Sequence, residues 1–116
     1  MNFGEYIREK REALREKDKS FSLRQVASRV GVQPSYLSKV ERGDEPPPSE
    51  EKIIQIAEEL DENQDLLLAM AGKVSSDLKE AICKRPLVFA EVIRALKDTP
   101  DNAVLRMVRE VRDGNW

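Results

Sequence analysis

The sequence predicts an all-α fold, and three observations predict it. Apolar residues recur at helical spacing in segment after segment of the 116-residue chain. Residues that start or stop helices punctuate those segments, with Ser22, Pro34, Ser49, Ser76, Pro86 and Pro100 at starts and Gly31, Gly43 and Gly72 at ends. Charged residues make up 36% of the chain beside 40% apolar ones, a balance that fits short helices with one core-facing stripe and a solvated outer face.

The first helix reads over residues 2–17, where Phe3, Ile7 and Leu14 form an apolar stripe with Tyr6 and Ala13 beside it. Spacings such as Arg8 to Glu12 give weak ion pairs on its outer face. Residues 15–20, REKDKS, are either one more turn of that helix or a charged loop. Ser22 then caps a helix over Leu23 to Arg29, with Leu23, Val26, Ala27 and Val30 at helical spacing. Gly31 ends it, because glycine takes the left-handed conformation without a Cβ penalty. Pro34 opens the next helix, at a position where the missing N–H would have had no partner. In that helix, read over Pro34 to Arg42, Leu37 and Val40 face inward, which leaves Gln33, Ser35, Tyr36, Ser38, Lys39 and Arg42 outward. Asp44-Glu45-Pro46-Pro47-Pro48 stops it, since proline fixes φ and restricts the residue before it. Ser49 caps a fourth helix, Glu50 to Leu60, whose stripe is Ile53, Ile56, Ala57 and Leu60. A fifth begins near Glu62 or Asn63 and supplies Leu66, Leu67, Met70 and Ala71 to the core before Gly72.

The spaced pattern Gln25-Val26-Ala27, Gly31-Val32 and Ser35-Tyr36-Leu37-Ser38-Lys39-Val40-Glu41-Arg42-Gly43 closely resembles the Cro/repressor (Xre) family of helix-turn-helix DNA-binding domains. The likeness covers residues 3–71. It implies a five-helix, lambda-repressor-like DNA-binding domain over residues 1–72 whose third helix enters the major groove of double-stranded DNA. By match to the family, Ser35 and Lys39 stand where base edges are read, with Pro34 close by and Gln33 at the cap near a phosphate. Lys39 suits the N7 and O6 acceptors of guanine, whereas Ser35 discriminates poorly. Tyr36 is placed to meet a thymine methyl or a phosphate, and Ser38 and Arg42 complete the outward set. The start of the second helix, with Ser22 and Arg24, is where the family holds a phosphate. The family also implies a structural ion pair between Arg11 and Glu41. Asp44 and Glu45 depart from the pattern, because basic residues often follow the recognition helix in the family and acids there repel phosphate.

The overall charge of −2 hides an uneven distribution. Residues 1–43 hold ten Lys/Arg against six Asp/Glu, a net +4, and residues 44–116 hold ten against sixteen, a net −6. The basic excess falls on the half that carries the helix-turn-helix pattern. No apolar run approaches the roughly 20 residues that span a membrane, and residues 1–10 have no signal-peptide core, so a cytoplasmic protein is expected. The single cysteine, Cys83, cannot form an internal disulfide, and no Cys/His spacing points to a metal. There is no histidine, no glycine-rich phosphate loop and no nucleophile paired with a base, so neither an enzyme nor a cofactor is expected. Cys83 reads as a small apolar residue of an amphipathic helix rather than a redox sensor.

Residues 73–116 carry three more short helical patterns, read as a C-terminal helical module. Ser76 caps the first, through Cys83, with Leu78, Ala81 and Ile82. Pro86 opens the second, with Leu87, Phe89, Ala90, Val92, Ile93 and Leu96. Pro100 opens the third, with Ala103, Val104, Met107, Val108 and Val111. Helices this short are marginal in water and must pack on something. Family repressors bind two half-sites as two-fold dimers, so Leu87, Phe89, Val92, Ile93, Leu96, Val104, Met107 and Val108 are expected at a homodimer interface. Completion of the monomer core is the other reading, and Trp116 either joins the interface or is exposed. The stretch from Leu96 to Arg106 is similar to C-terminal modules of Xre-type repressors cut by ImmA/IrrE-like metalloproteases. A further alternative is an antitoxin whose C-terminal helices bind a toxin, with DNA binding secondary.

Overall fold

The computed structural model describes residues 1–114 and divides into two compact units that meet at Ser75/Ser76. Trp116, a candidate for the interface, lies outside the described residues. The first unit contains α1 (Phe3–Arg15), a 3₁₀ turn at Lys19–Phe21, α2 (Leu23–Val30), α3 (Pro34–Arg42), α4 (Glu50–Leu60) and α5 (Gln64–Met70). The second contains α6 (Ser76–Lys84), α7 (Pro86–Leu96) and α8 (Asp101–Arg112). No strand is present among the described residues, so the chain is all-α with five helices followed by three.

Side-chain caps set the starts of four helices in the first unit. Asn2, Ser22, Ser49 and Asn63 each accept a hydrogen bond from a backbone N–H of the first turn, at Glu5, Gln25, Lys52 and Leu66. The ends of α2, α3, α4 and α5 share a second device. The N–H of the residue after the left-handed position reaches back to a carbonyl near the helix end, as in Val32 to Ala27 (2.9 Å) and Asp44 to Lys39 (2.8 Å). Gly31 and Gly43 supply the left-handed residue at φ +82°. Asp61 does so at φ +53° without being glycine, in a conformation that Asp and Asn reach more readily than other side chains.

Past Arg15 the chain does not continue α1 by a further turn: residues 16–18 form a loop that leads into the 3₁₀ turn. Helix α1 ends at Arg15, and Asp18 caps the 3₁₀ turn by accepting from the Ser20 N–H at 2.9 Å. That backbone donor, which favours the carboxylate, holds the Asp18 pKa below its ordinary value. The turn is therefore steadied above the usual Asp range and loses that support as pH falls through the lowered value.

The core of the first unit is one cluster drawn from all five helices. Ile7, Val26, Leu37, Ile53, Leu60, Leu67 and Leu68 are its largest members that are almost wholly withdrawn from water. The fifth helix faces differently from the sequence reading. Leu68 is buried and Leu66 is 41% exposed, while Met70 and Ala71 pack at the margin as expected. Asn63 sets the start of α5, and from there Leu67, Leu68 and Ala71 share one face. A run of three leucines has no periodicity of its own to show this. Lys73, just past α5, ties the chain back by donating to the Pro48 carbonyl at 3.0 Å.

Within the second unit α6 and α7 pack on each other. No described residue from Ser76 onward is fully buried. Cys83, expected to pack as a small apolar residue, is exposed on α6. No helix among the described residues is long and apolar enough to cross a membrane.

Candidate nucleic-acid interface

The recognition-helix candidate, α3, is held from beneath by Arg11 and Glu41. Both are buried, at 3% and 5% exposure. The guanidinium donates through Nε to Glu41 Oε2 at 2.8 Å and through Nη2 to Glu41 Oε1 at 2.9 Å, a two-point geometry that fits a carboxylate. Its remaining donors go to the Phe21 carbonyl at 3.2 Å and to Glu12 Oε1 at 3.1 Å. The hydrogen bond to Glu41 pushes the Arg11 pKa further up, so the cation stays charged despite its burial. One side chain thus joins α1, the 3₁₀ turn and the C-terminal half of α3. Loss of either partner would strand a buried charge, at a cost of roughly 3–5 kcal/mol.

Gly4 makes the same α1–α3 junction close. A Cβ there would overlap the Val40 carbonyl oxygen and stand 2.9 Å from the Glu41 carbonyl oxygen. The sequence reading gave Gly4 no role, since only the tertiary approach reveals one.

The turn between α2 and α3 has its own clamp. Lys52, in the first turn of α4, donates through Nζ to the Val30 carbonyl at 2.9 Å and to Gln55 Oε1 at 3.3 Å. The ammonium therefore sits on the negative end of α2, where a cation is favoured.

Around this frame the candidate contacts fall into three groups. Arg24 in the first turn of α2 and Lys39 on α3 are exposed, and neither makes an ion pair among the described residues. Gln33 and Ser35 are also exposed, and Ser22 and Pro34 are half-buried at the two helix starts. Tyr36 departs from the outward set, because it is half-buried and packs against the core. Ser38 is half-buried at a cleft that it lines together with Arg8, Leu23 and Arg42. Arg42 is exposed, but its Nε donates to Asp44 Oδ2 at 3.2 Å.

The other cations of the first unit sort by the same test. Arg29 is tied to Glu59 at 2.6 Å and lies over the Phe21 ring at 5.4 Å, so it is committed to the α2–α4 contact. Arg15 pairs with Glu12, and Lys10 lies 3.9 Å from Glu62. Glu12 is thereby shared by Arg11 and Arg15, and the expected Arg8–Glu12 pair does not form. Among the described residues of the first unit, the basic side chains without an ion pair or hydrogen-bond partner are Arg8, Lys17, Lys19, Arg24 and Lys39. All five lie in the half of the unit formed by α1, α2 and α3. Arg8 was missed by sequence reasoning. Its spacing to Glu12 suggested a partner, and only the structure shows that partner taken.

The acidic residues of α4 and its flanks leave the opposite charge elsewhere. Residues 44–75 hold nine Asp/Glu against two Lys, a net −7, and both lysines are turned to backbone carbonyls. Among the described residues no group of His, Cys, Asp and Glu is arranged to hold a metal. The arrangement is a rigid three-helix frame with unpaired cations at the head of one helix and along the exposed side of the next. Such a surface can hold a polyanion by its phosphates and present a few polar side chains to base edges.

A protein-family model described as helix-turn-helix matches residues 7–63, from the middle of α1 to the cap of α5. No curated protein and no solved structure matches the chain.

Proposed function

We propose that this chain, which belongs through its first unit to the Cro/C1-type helix-turn-helix family of DNA-binding regulators, is a repressor that binds a two-fold symmetric operator as a homodimer. The observation that carries the reading is the distribution of unpaired cations. Arg24 and Lys39 are exposed without ion pairs, at the head of α2 and on α3, while Arg11, Arg29 and Lys52 are spent on holding those helices in place. In this reading α3 (Pro34–Arg42) lies in the major groove. Lys39 and Ser35 meet base edges, and Gln33, Pro34 and Ser38 stand at the rim. Ser22, Arg24, Arg8 and Arg42 contact phosphates and fix the register. Tyr36 serves mainly as packing beneath the helix, which follows from its place at the core margin.

The second unit is assigned to self-association. Leu87 is 85% exposed and Ile93 55%, and Val92, Met107 and Val108 are exposed as well, while Phe89, Leu96 and Val104 are half-buried. Helices of 9 to 12 residues with such surfaces are not stable alone in water, and a second copy of the same unit supplies the missing cover. Two-fold pairing also matches what an operator with two half-sites requires. The family match ends at residue 63, so neither a protease nor a toxin partner follows from it.

The test is a salt titration of binding to duplex DNA, followed by fluorescence anisotropy. Affinity falls linearly on logarithmic axes as salt rises, and Arg24→Ala weakens binding to all sequences and reduces the slope by about one. A protein that does not bind duplex DNA at low salt, or a slope that Arg24→Ala leaves unchanged, would contradict the assignment.

A further inference from the structure

Asp44 stands just past the end of the recognition-helix candidate, on the side where family likeness favours basic residues. Its backbone N–H donates to the Lys39 carbonyl at 2.8 Å and closes the end of α3. That bond, with Gly43 left-handed at φ +82°, sets the backbone of Asp44 within side-chain reach of Arg42. Arg42 Nε donates to Asp44 Oδ2 at 3.2 Å, and the two side chains remain 53% and 62% exposed. Arg42 also lines the cleft that holds Arg8 and Ser38. The arginine nearest the end of α3 therefore already carries an anion, one built into the chain.

We propose that Asp44 is an internal competitor for phosphate: it occupies Arg42 in the free protein and must be displaced before Arg42 can grip the DNA backbone. This rests on the reading of Arg42 as a phosphate contact. Because phosphates carry no sequence information, the competition lowers affinity for every duplex alike. The base contacts at Lys39 and Ser35 are not taxed by it. Asp44 thereby sets how much of the protein rests on DNA without an operator. Simple repulsion between Asp44 and phosphate would also lower affinity, but it would not depend on Arg42. The two effects separate in a double-mutant cycle.

The experiment measures the Kd of the full chain for a duplex of random sequence at low salt, for wild type, D44N, R42A and the double variant. Asp44→Asn keeps the side-chain shape and leaves the backbone bond to Lys39 untouched, and both side chains are exposed, so the fold is retained; circular dichroism of each variant checks this. The expected result is that D44N binds more tightly than wild type, by about three-fold or more, and that R42A weakens D44N by a factor two to five times larger than it weakens wild type, the range of an exposed ion pair. Equal factors in the two backgrounds would overturn the competition while leaving Arg42 as a phosphate contact. An unchanged Kd in D44N would overturn it too. If R42A changes nothing in either background, the phosphate contact at Arg42 fails and the competition fails with it.

Discussion

Arg11, Arg29 and Lys39 are all cations on amphipathic helices, and their surroundings give them different tasks. Arg11 is sealed against Glu41, Arg29 is spent on Glu59 and the Phe21 ring, and Lys39 is left open. If Lys39 reads a base, Lys39→Ala weakens operator binding by about 1–3 kcal/mol and relaxes preference at one operator position. Binding measured against a panel of single-base operator variants checks this, and an unchanged preference at every position would remove Lys39 from base readout. Gly4 gives a stability prediction at the same scale. A methyl at that site meets two backbone carbonyls that cannot swing aside, at Val40 and Glu41. Gly4→Ala therefore lowers unfolding stability by about 1–3 kcal/mol, as overpacking does elsewhere, and a urea titration reads it. The residue scale is also where sequence legibility was most uneven. The Arg11–Glu41 pair was nameable because a family resemblance placed both residues. Gly4 and Lys52 were not, since their roles come from contacts between residues far apart in the chain, and Arg8 was not, since Glu12 had several cations in reach and spacing does not say which of them it takes.

Helix boundaries were the most legible feature, because local chemistry sets them. The limits of α3 and α4 follow from Pro34, Gly43 and Ser49, each of which acts on its own backbone. The reading failed where local chemistry is silent. Residues 15–20 offered a helical turn and a loop with equal credit, and Asp18 decided for the loop by bonding to Ser20. The leucine run of α5 offered any face, and packing chose Leu67 and Leu68. Lys52 shows how an element is finished by its neighbour, since its ammonium on the Val30 carbonyl belongs to α4 but completes α2. Lys52→Met removes that charged hydrogen bond and leaves a half-sheltered carbonyl without it. The expected loss is about 1–2 kcal/mol of unfolding stability, toward the lower end for such bonds because the site is partly wet. A urea midpoint indistinguishable from wild type would show that water replaces the ammonium at no cost.

At the scale of the whole molecule the two units contrast in how they bury apolar surface. The first encloses a continuous core within one chain, and the second leaves none of its described residues fully covered. A fragment of residues 1–75 should therefore fold cooperatively on its own. By the proposed assignment it is monomeric and binds operator DNA much more weakly than the full chain. Analytical ultracentrifugation of fragment and full chain checks this, and a fragment that remains dimeric would move the interface out of the second unit. The charge pattern acts at this scale as well. The net −7 of residues 44–75 disfavours phosphate near that part of the surface, and in the proposed reading α1 to α3 form the face that approaches DNA. The measurement that tests the central claim most directly is selection of bound sequences from random duplex DNA by the full-length protein near physiological salt. The prediction is a two-fold symmetric motif with half-sites about one helical turn, or 10 bp, apart. Recovery of no enriched sequence would contradict sequence-specific binding by this chain.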